Sequence, residues 1–183
     1  LDAAVDAEAC PFDLAPTTST TVAVALGDAL AVALFEAKGF RAEDFARLHP
    51  GGALGRKLLI LVSDVMVREN APALGPDSPM RECVILLAER RGTVAVVDGQ
   101  RKVIGVVTSG DLTRLMEKES SFLDVPVRGV MTRTPKVAKA GELGGAVVFR
   151  MEQHGIMAMP VVDGDGVLHG IVHLHDLMRA GAA

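Results

Sequence analysis

One phrase of this sequence is written twice. GVVTSGDL at residues 105–112 returns as GIVHLHDL at residues 170–177, with Asp111 and Asp176 65 positions apart. The same interval carries Val96-Val97-Asp98-Gly99 onto Val161-Val162-Asp163-Gly164, Gly105 onto Gly170, and Val65-Met66 onto Val130-Met131, all without a gap. Four matches in one register mark a duplication. Solenoid repeats run to about 20–50 residues, so a longer interval describes a small domain present in two copies. A unit of that size buries too little apolar surface to stand comfortably alone. Packing the copies about a pseudo-twofold axis lets each cover the apolar face of the other.

Within each copy the pattern is α/β. Asp77-Ser78-Pro79 marks a helix start with Pro in the first turn, and a helix follows over residues 80–90. Apolar β-runs at 94–97 and 103–107 flank the turn Asp98-Gly99. Ser109-Gly110-Asp111 then opens a short helix over 112–118. The second copy predicts a helix at 143–153, strands at 159–162 and 167–172, and a last helix from Leu174. Residues 119–126, charged and polar with Pro126 at the end, join the copies.

The first part of the chain is different in kind. Pro16 and the hydroxyl run 17–21 precede an apolar stretch, 22–35, and those hydroxyls can accept from the unpaired N–H groups of a helix start. A helix that is apolar nearly all round belongs inside something. Gly39 supplies a left-handed stop after Lys38. A second short helix over 42–48 leads into His49-Pro50-Gly51-Gly52, where Pro50 and the glycines turn the chain. So short a segment cannot enclose its own helix. It docks on the repeats, or it is one part of a larger domain, and the start at Leu1 in mid-pattern reads as an excised fragment. The expected domains are 1–58, 59–120 and 121–183.

Composition narrows the function. With 19 basic against 23 acidic residues, no Trp or Tyr and six Phe, the chain offers neither a cationic footprint nor stacking platforms for nucleic acid. Cys10 and Cys83 stand far apart without a motif and read as inert thiols in a reducing cytosol. No apolar run approaches 18 residues and no basic leader precedes one, so a soluble cytoplasmic protein without a membrane partner is expected. His154 and His169 lack the spacing of a zinc site, and no metal is expected.

The chemistry concentrates at the two strand-to-helix junctions. Thr108 and Asp111 surround the N-terminus of a helix, where free N–H groups and the helix dipole favour an anion. A phosphate would take Thr108 and the N–H groups, while Asp111 would repel phosphate and suit ribose hydroxyls. That combination describes a nucleotide or nucleotide sugar, with Val65, Met66 and the repeat counterpart Met131 flanking the base. The alternative is that Ser109 and Asp111 only cap the helix.

VVDGQRKVIGVVTSGDL and VVDGDGVLHGIVHLHDL resemble a tandem CBS pair, the Bateman module, over about residues 61–181. The resemblance implies a βαββα-type fold and a regulatory cleft for nucleotides. Its Thr-x-x-Asp pattern matches at Thr108 and Asp111, whereas the second copy keeps Asp176 and puts His173 in place of the hydroxyl. His173 and His175 would there form a pH-sensitive anion contact. The leading segment, EACPFDLAPTTSTTVAVALGDALAVAL and EDFARLHPGGALGRKL, with the closing HLHDLMRAG, resembles the bacterial D-arabinose-5-phosphate isomerase family. Its members join a sugar-isomerase (SIS) α/β domain to a CBS pair and interconvert ribulose 5-phosphate and arabinose 5-phosphate for synthesis of Kdo, a lipopolysaccharide sugar. The resemblance implies that residues 1–58 are a helical remnant of the SIS domain, lacking its phosphate loop. It places Glu8 and His49 in the isomerase site, as types able to move the protons of an enediol mechanism. On this reading the chain alone is inactive, requires no cofactor, and responds to AMP, ATP or CMP-Kdo as a dimer or tetramer. A structural module that holds subunits together around an empty cleft is the competing expectation, and a free-standing CBS protein with a helical extension is a third.

Overall fold

A computed structural model of the chain describes residues 1–41, 44, 45, 48 and 59–182. It divides into two units, Leu1–His49 and Pro50–Ala183. The expected short helix over 42–48 falls mostly outside the described residues, as does His49.

The first unit is built on α1 (Thr18–Lys38), which Gly39 ends in the left-handed conformation at φ 61°. Gly39 donates to the Glu36 carbonyl and Phe40 to that of Phe35, a Schellman motif closed by stacking of the Phe35 and Phe40 rings. One expectation fails here. No hydroxyl side chain caps α1; the Thr20 and Thr21 hydroxyls instead donate to the Thr17 carbonyl at 2.9 Å. None of the α1 residues is buried, and Val24, Val32, Leu34 and Phe35 stand exposed. At 21 residues it is also long and apolar enough to cross a membrane, against the expectation that no run approaches that length. Asp28 sits at its midpoint, and a carboxylate at the bilayer centre costs about 3 kcal/mol.

The second unit shows the duplication element by element. The first copy runs α2 (Val62–Val65), β1 (Ala73–Leu74), α3 (Met80–Glu89), β2 (Thr93–Val97), β3 (Val103–Thr108) and α4 (Ser109–Lys118). The second runs from a 3-10 turn (Val127–Gly129) through β4 (Ala138–Lys139), α5 (Gly144–His154), β5 (Ala158–Val162) and β6 (Leu168–His173) to α6 (Leu174–Ala180). Every strand begins and ends 65 residues after its counterpart. Each copy forms a three-stranded sheet, ordered β1-β2-β3 and β4-β5-β6, with the first pair parallel and the second antiparallel. Even the register break recurs, between Val96 and Val97 in one sheet and between Val161 and Val162 in the other. The two-residue strands β1 and β4 carry too little pattern to be read from sequence.

Helical periodicity supplies the cores. Met80, Cys83 and Leu87 recur along one face of α3 and pack with Val94, Val96 and Val107 of the sheet, while Val147, Val148 and Met151 of α5 pack with Met159, Val161 and Val172. Pro79 lies one position before the helix rather than inside it. The first N–H groups of α3, from Met80 and Arg81, donate to the Val125 and Leu123 carbonyls of the connector at 2.9 Å, so the helix start needs no side-chain cap.

The copies are also exchanged at their leading segments. Val67, between α2 and β1 of the first copy, pairs with Ile171 in β6 of the second, and Thr132, between the 3-10 turn and β4 of the second, pairs with Val106 in β3 of the first. Glycine makes the crossing possible. A Cβ on Gly105 would lie 2.5 Å from Met131 Sδ, and one on Gly170 would lie 2.6 Å from the Val67 carbonyl oxygen. The repeated Gly105 and Gly170 therefore mark where one copy's lead-in passes over the other's strand.

Candidate functional site

At the first junction β3 ends in Thr108, whose extended backbone (φ −117°) makes it the N-cap of α4. Ser109 is thus already the first helical residue, not part of a lead-in. The Thr108 hydroxyl and N–H both donate to Asp111 Oδ2, at 2.7 and 2.8 Å, and the Asp111 N–H donates to Thr108 Oγ1 at 3.3 Å. This is a reciprocal capping box. Asp111 Oδ1 accepts from Arg114 at 2.5 Å, and Asp111 is 8% exposed. A carboxylate has about four acceptor positions. The junction uses three of Asp111's, leaving one for a ligand hydroxyl.

A cavity of 690 Å³ opens on this junction. Thr108, Ser109, Gly110 and Asp111 form one wall, with Thr93 at the start of β2 beside them. Residues of the other copy complete it: Thr132, Thr134, Pro135 and Lys136 of the lead-in, then His154 to Ala158 and Pro160. Its charge is uneven. Arg91, Arg114 and Lys136 line it, and Asp111, already paired, is its one acid among the described residues. Val106, Ile156, Met157 and Pro160 provide apolar surface. Such a space accepts a flat apolar body bearing an anion.

The second junction has the same backbone and a different outcome. His173 occupies the N-cap position of α6 and makes no capping bond. Both ring nitrogens are buried without a hydrogen-bond partner among the described residues, and Nδ1 lies 3.8 Å from Asp176 Oδ2. Burial pushes the His173 pKa down, the Arg91 guanidinium adds to that, and Asp176 opposes it. Asp176 Oδ2 accepts instead from Arg91 of the first copy at 2.5 Å. His175 is exposed on α6, 3.0 Å from the Arg179 guanidinium. His173 and His175 therefore face different partners and form no joint anion contact.

The two junctions do not both open on this cavity. Thr108, Ser109 and Asp111 line the cavity, whereas His173, His175 and Asp176 do not. Val65, Met66 and Met131 do not line it either; they pack against the two cores, with the methionine sulfurs over the strand glycines. Arg91, Arg114 and Lys136 were not anticipated. Arg114 had a signal, since Asp-x-x-Arg recurs as Asp111–Arg114 and Asp176–Arg179. Arg91 had none, because its counterpart in the second copy is Ile156.

In the first unit, Glu8 is tied to α1. Its Oε2 accepts from the Thr17 N–H at 2.6 Å, the Thr17 hydroxyl at 3.0 Å and the Ser19 N–H at 3.3 Å. The Ser19 side chain leads the causes, with Thr17 next, that hold its pKa down at about 2. A carboxylate so acidic is a weak proton acceptor at neutral pH, and here it does the capping expected of the hydroxyl run. The thiols also part company. Burial first, then the Asp111 charge, raises Cys83 to about 11. Cys10 is partly exposed, and its Sγ accepts from the Ala15 and Leu14 N–H groups at 3.1 Å, which lowers its pKa.

Comparison with known proteins adds three findings. The CBS domain model matches residues 62–118 and 127–183. The chain is similar to arabinose 5-phosphate isomerase KdsD of Pseudomonas aeruginosa, at 45% identity over 99% of this chain and 56% of that protein, and to the Yersinia pestis protein of the same name, at 42% over 97% and 54%. It thus spans about half the length of these curated relatives. Among solved structures it resembles CBSX2 in complex with AMP, at 26% identity and TM-score 0.56, covering 66% of this chain and 94% of that one. It also resembles the CBS domain pair of MJ0100 in complex with 5′-methylthioadenosine and S-adenosyl-L-methionine, at 25% and 0.59, covering 66% and 98%.

Proposed function

The chain belongs to the CBS domain family, and from that premise we propose that its second unit is a regulatory module for a phosphate-bearing nucleotide or nucleotide sugar. The observation that carries the reading is the 690 Å³ cavity at the first junction, with three cations and an apolar wall facing the start of a helix. The phosphate lies against the N-terminus of α4 with Arg91, Arg114 and Lys136 around it. The apolar body lies against Val106, Ile156 and Met157, and the free acceptor position of Asp111 takes a sugar hydroxyl. Solved relatives in complex with adenine-bearing ligands support the class of ligand.

The likeness to the isomerases supports a wider reading: a cytoplasmic, homo-oligomeric D-arabinose-5-phosphate isomerase in which the pair senses AMP, ATP or the downstream sugar nucleotide CMP-Kdo. In that reading residues 1–58 contribute to the sugar-isomerase domain, and 59–120 and 121–183 are the two CBS domains. A thermal-shift screen of the chain with AMP, ATP, CMP and CMP-Kdo tests the module directly, because a ligand of the folded state raises the melting temperature by mass action. A shift with at least one of them is expected, reduced by Arg114→Ala. Four flat responses would favour a purely structural pair.

A further inference from the structure

We infer that Arg91 is shared between the two junctions, so that an anion bound in the cavity withdraws it from Asp176. The inference rests on the nucleotide reading of that cavity. Arg91 lines the cavity at the first junction and also donates to Asp176 Oδ2 of the second copy at 2.5 Å. Its side chain is 55% exposed, so the guanidinium is not packed into one position. Its backbone is left-handed at φ 58°, next to Gly92 at 74°, just beyond the end of α3. The repeat offers no equivalent. Ile156 stands at the matching position, and Asp111 draws its cation from Arg114 on its own helix.

Asp176 has somewhere to turn when Arg91 leaves. His173 Nδ1 waits 3.8 Å away with neither ring nitrogen otherwise partnered among the described residues. Arg179, the counterpart of Arg114, is held by His175 and does not fill the place. The second junction thus has two arrangements of one carboxylate, and the choice between them is coupled to occupancy of the first. Asp176 competes with the ligand anion for Arg91 and weakens its binding.

Calorimetric titration of the whole chain with AMP and CMP-Kdo, which carry phosphate, and with adenosine, which does not, tests this. Asp176→Asn should tighten the binding of a phosphate-bearing compound about threefold, the scale of a half-exposed ion pair, and leave adenosine unchanged. Arg91→Gln, which leaves α6 intact, should weaken the same compound, and adding Asp176→Asn to it should then gain nothing. If the wild type binds AMP or CMP-Kdo and Asp176→Asn leaves affinity unchanged or lower, the coupling is overturned while the nucleotide reading stands. If the wild type binds neither compound, that reading and the coupling fall together.

Discussion

The two strand-to-helix junctions share a backbone and differ in how their carboxylates are used. At the first, Thr108, Asp111 and Arg114 close a capping box and an ion pair within a single helix, and a cavity stays open beside them. At the second, His173 replaces the hydroxyl, the capping box is lost, and Asp176 reaches across to the other copy for Arg91. Duplication preserved the sheets to the residue while the chemistry at equivalent positions diverged. A hydroxyl lets a helix start satisfy itself; an imidazole leaves it dependent on a neighbour.

The sharpest way to break the equivalence is at the strand glycines. Gly170→Ala should cost about 2–3 kcal/mol, because its Cβ meets the Val67 carbonyl oxygen at 2.6 Å, and Gly105→Ala should cost less, about 1–2 kcal/mol, because its nearest neighbour is the movable Met131 thioether and the Thr132 carbonyl oxygen stands off at 3.0 Å. Urea denaturation of the two variants reads the difference, and equal losses would refute this account of the crossings. Next come the carboxylates. Asp111→Ala removes a cap and leaves Thr108 unpaired, a loss of about 2 kcal/mol, against at most about 1 kcal/mol for Asp176→Ala with its half-exposed partner. Denaturation midpoints check the order.

His173→Thr sharpens the comparison from the other side, by offering the second junction the cap it lacks. A gain of about 1 kcal/mol is expected. The variant should also lose a pH dependence. The depressed pKa of His173 means that its contribution is complete above the ordinary value of 6.5 and declines as pH falls from there through the lowered pKa, when burial must accommodate a charge. Melting temperatures between pH 7.5 and 5.5 should therefore fall more steeply in the wild type than in the variant. The smallest effect belongs to Glu8. Its cap on α1 is complete above the ordinary value of 4.5 and is lost as pH drops through about 2. Glu8→Gln should speed amide exchange at Thr17 and Ser19 while leaving the second unit unaltered.

Much of the fold was legible because a repeat in sequence is a repeat in structure. One interval located the longer strands to within one residue at each end and the turns at Asp98 and Asp163. The same interval pairs Val65-Met66 with Val130-Met131, which pack against equivalent cores, and two copies must pack alike whether or not they bind alike. The cavity was legible through Thr108, Ser109 and Asp111 but not through Arg91. Arg91 stands in a left-handed turn, and no periodicity encodes such a turn. The capping of α1 by Glu8 was equally hidden, since the acid stands nine residues before Thr17 and reaches it only once the intervening turn has formed.

The exchanged lead-ins make each copy the guardian of the other's border. Strand β3 ends its sheet, and among the described residues only Thr132 and the Lys102–Val167 bridge lie against its outer rim. Cut at the connector, either half would bare a hydrogen-bonding rim that invites further strands. The closest remedy is the same segment from a second molecule. An isolated half should therefore be recovered as a swapped dimer or an aggregate, and the intact pair should unfold in one step because neither half has a finished boundary of its own.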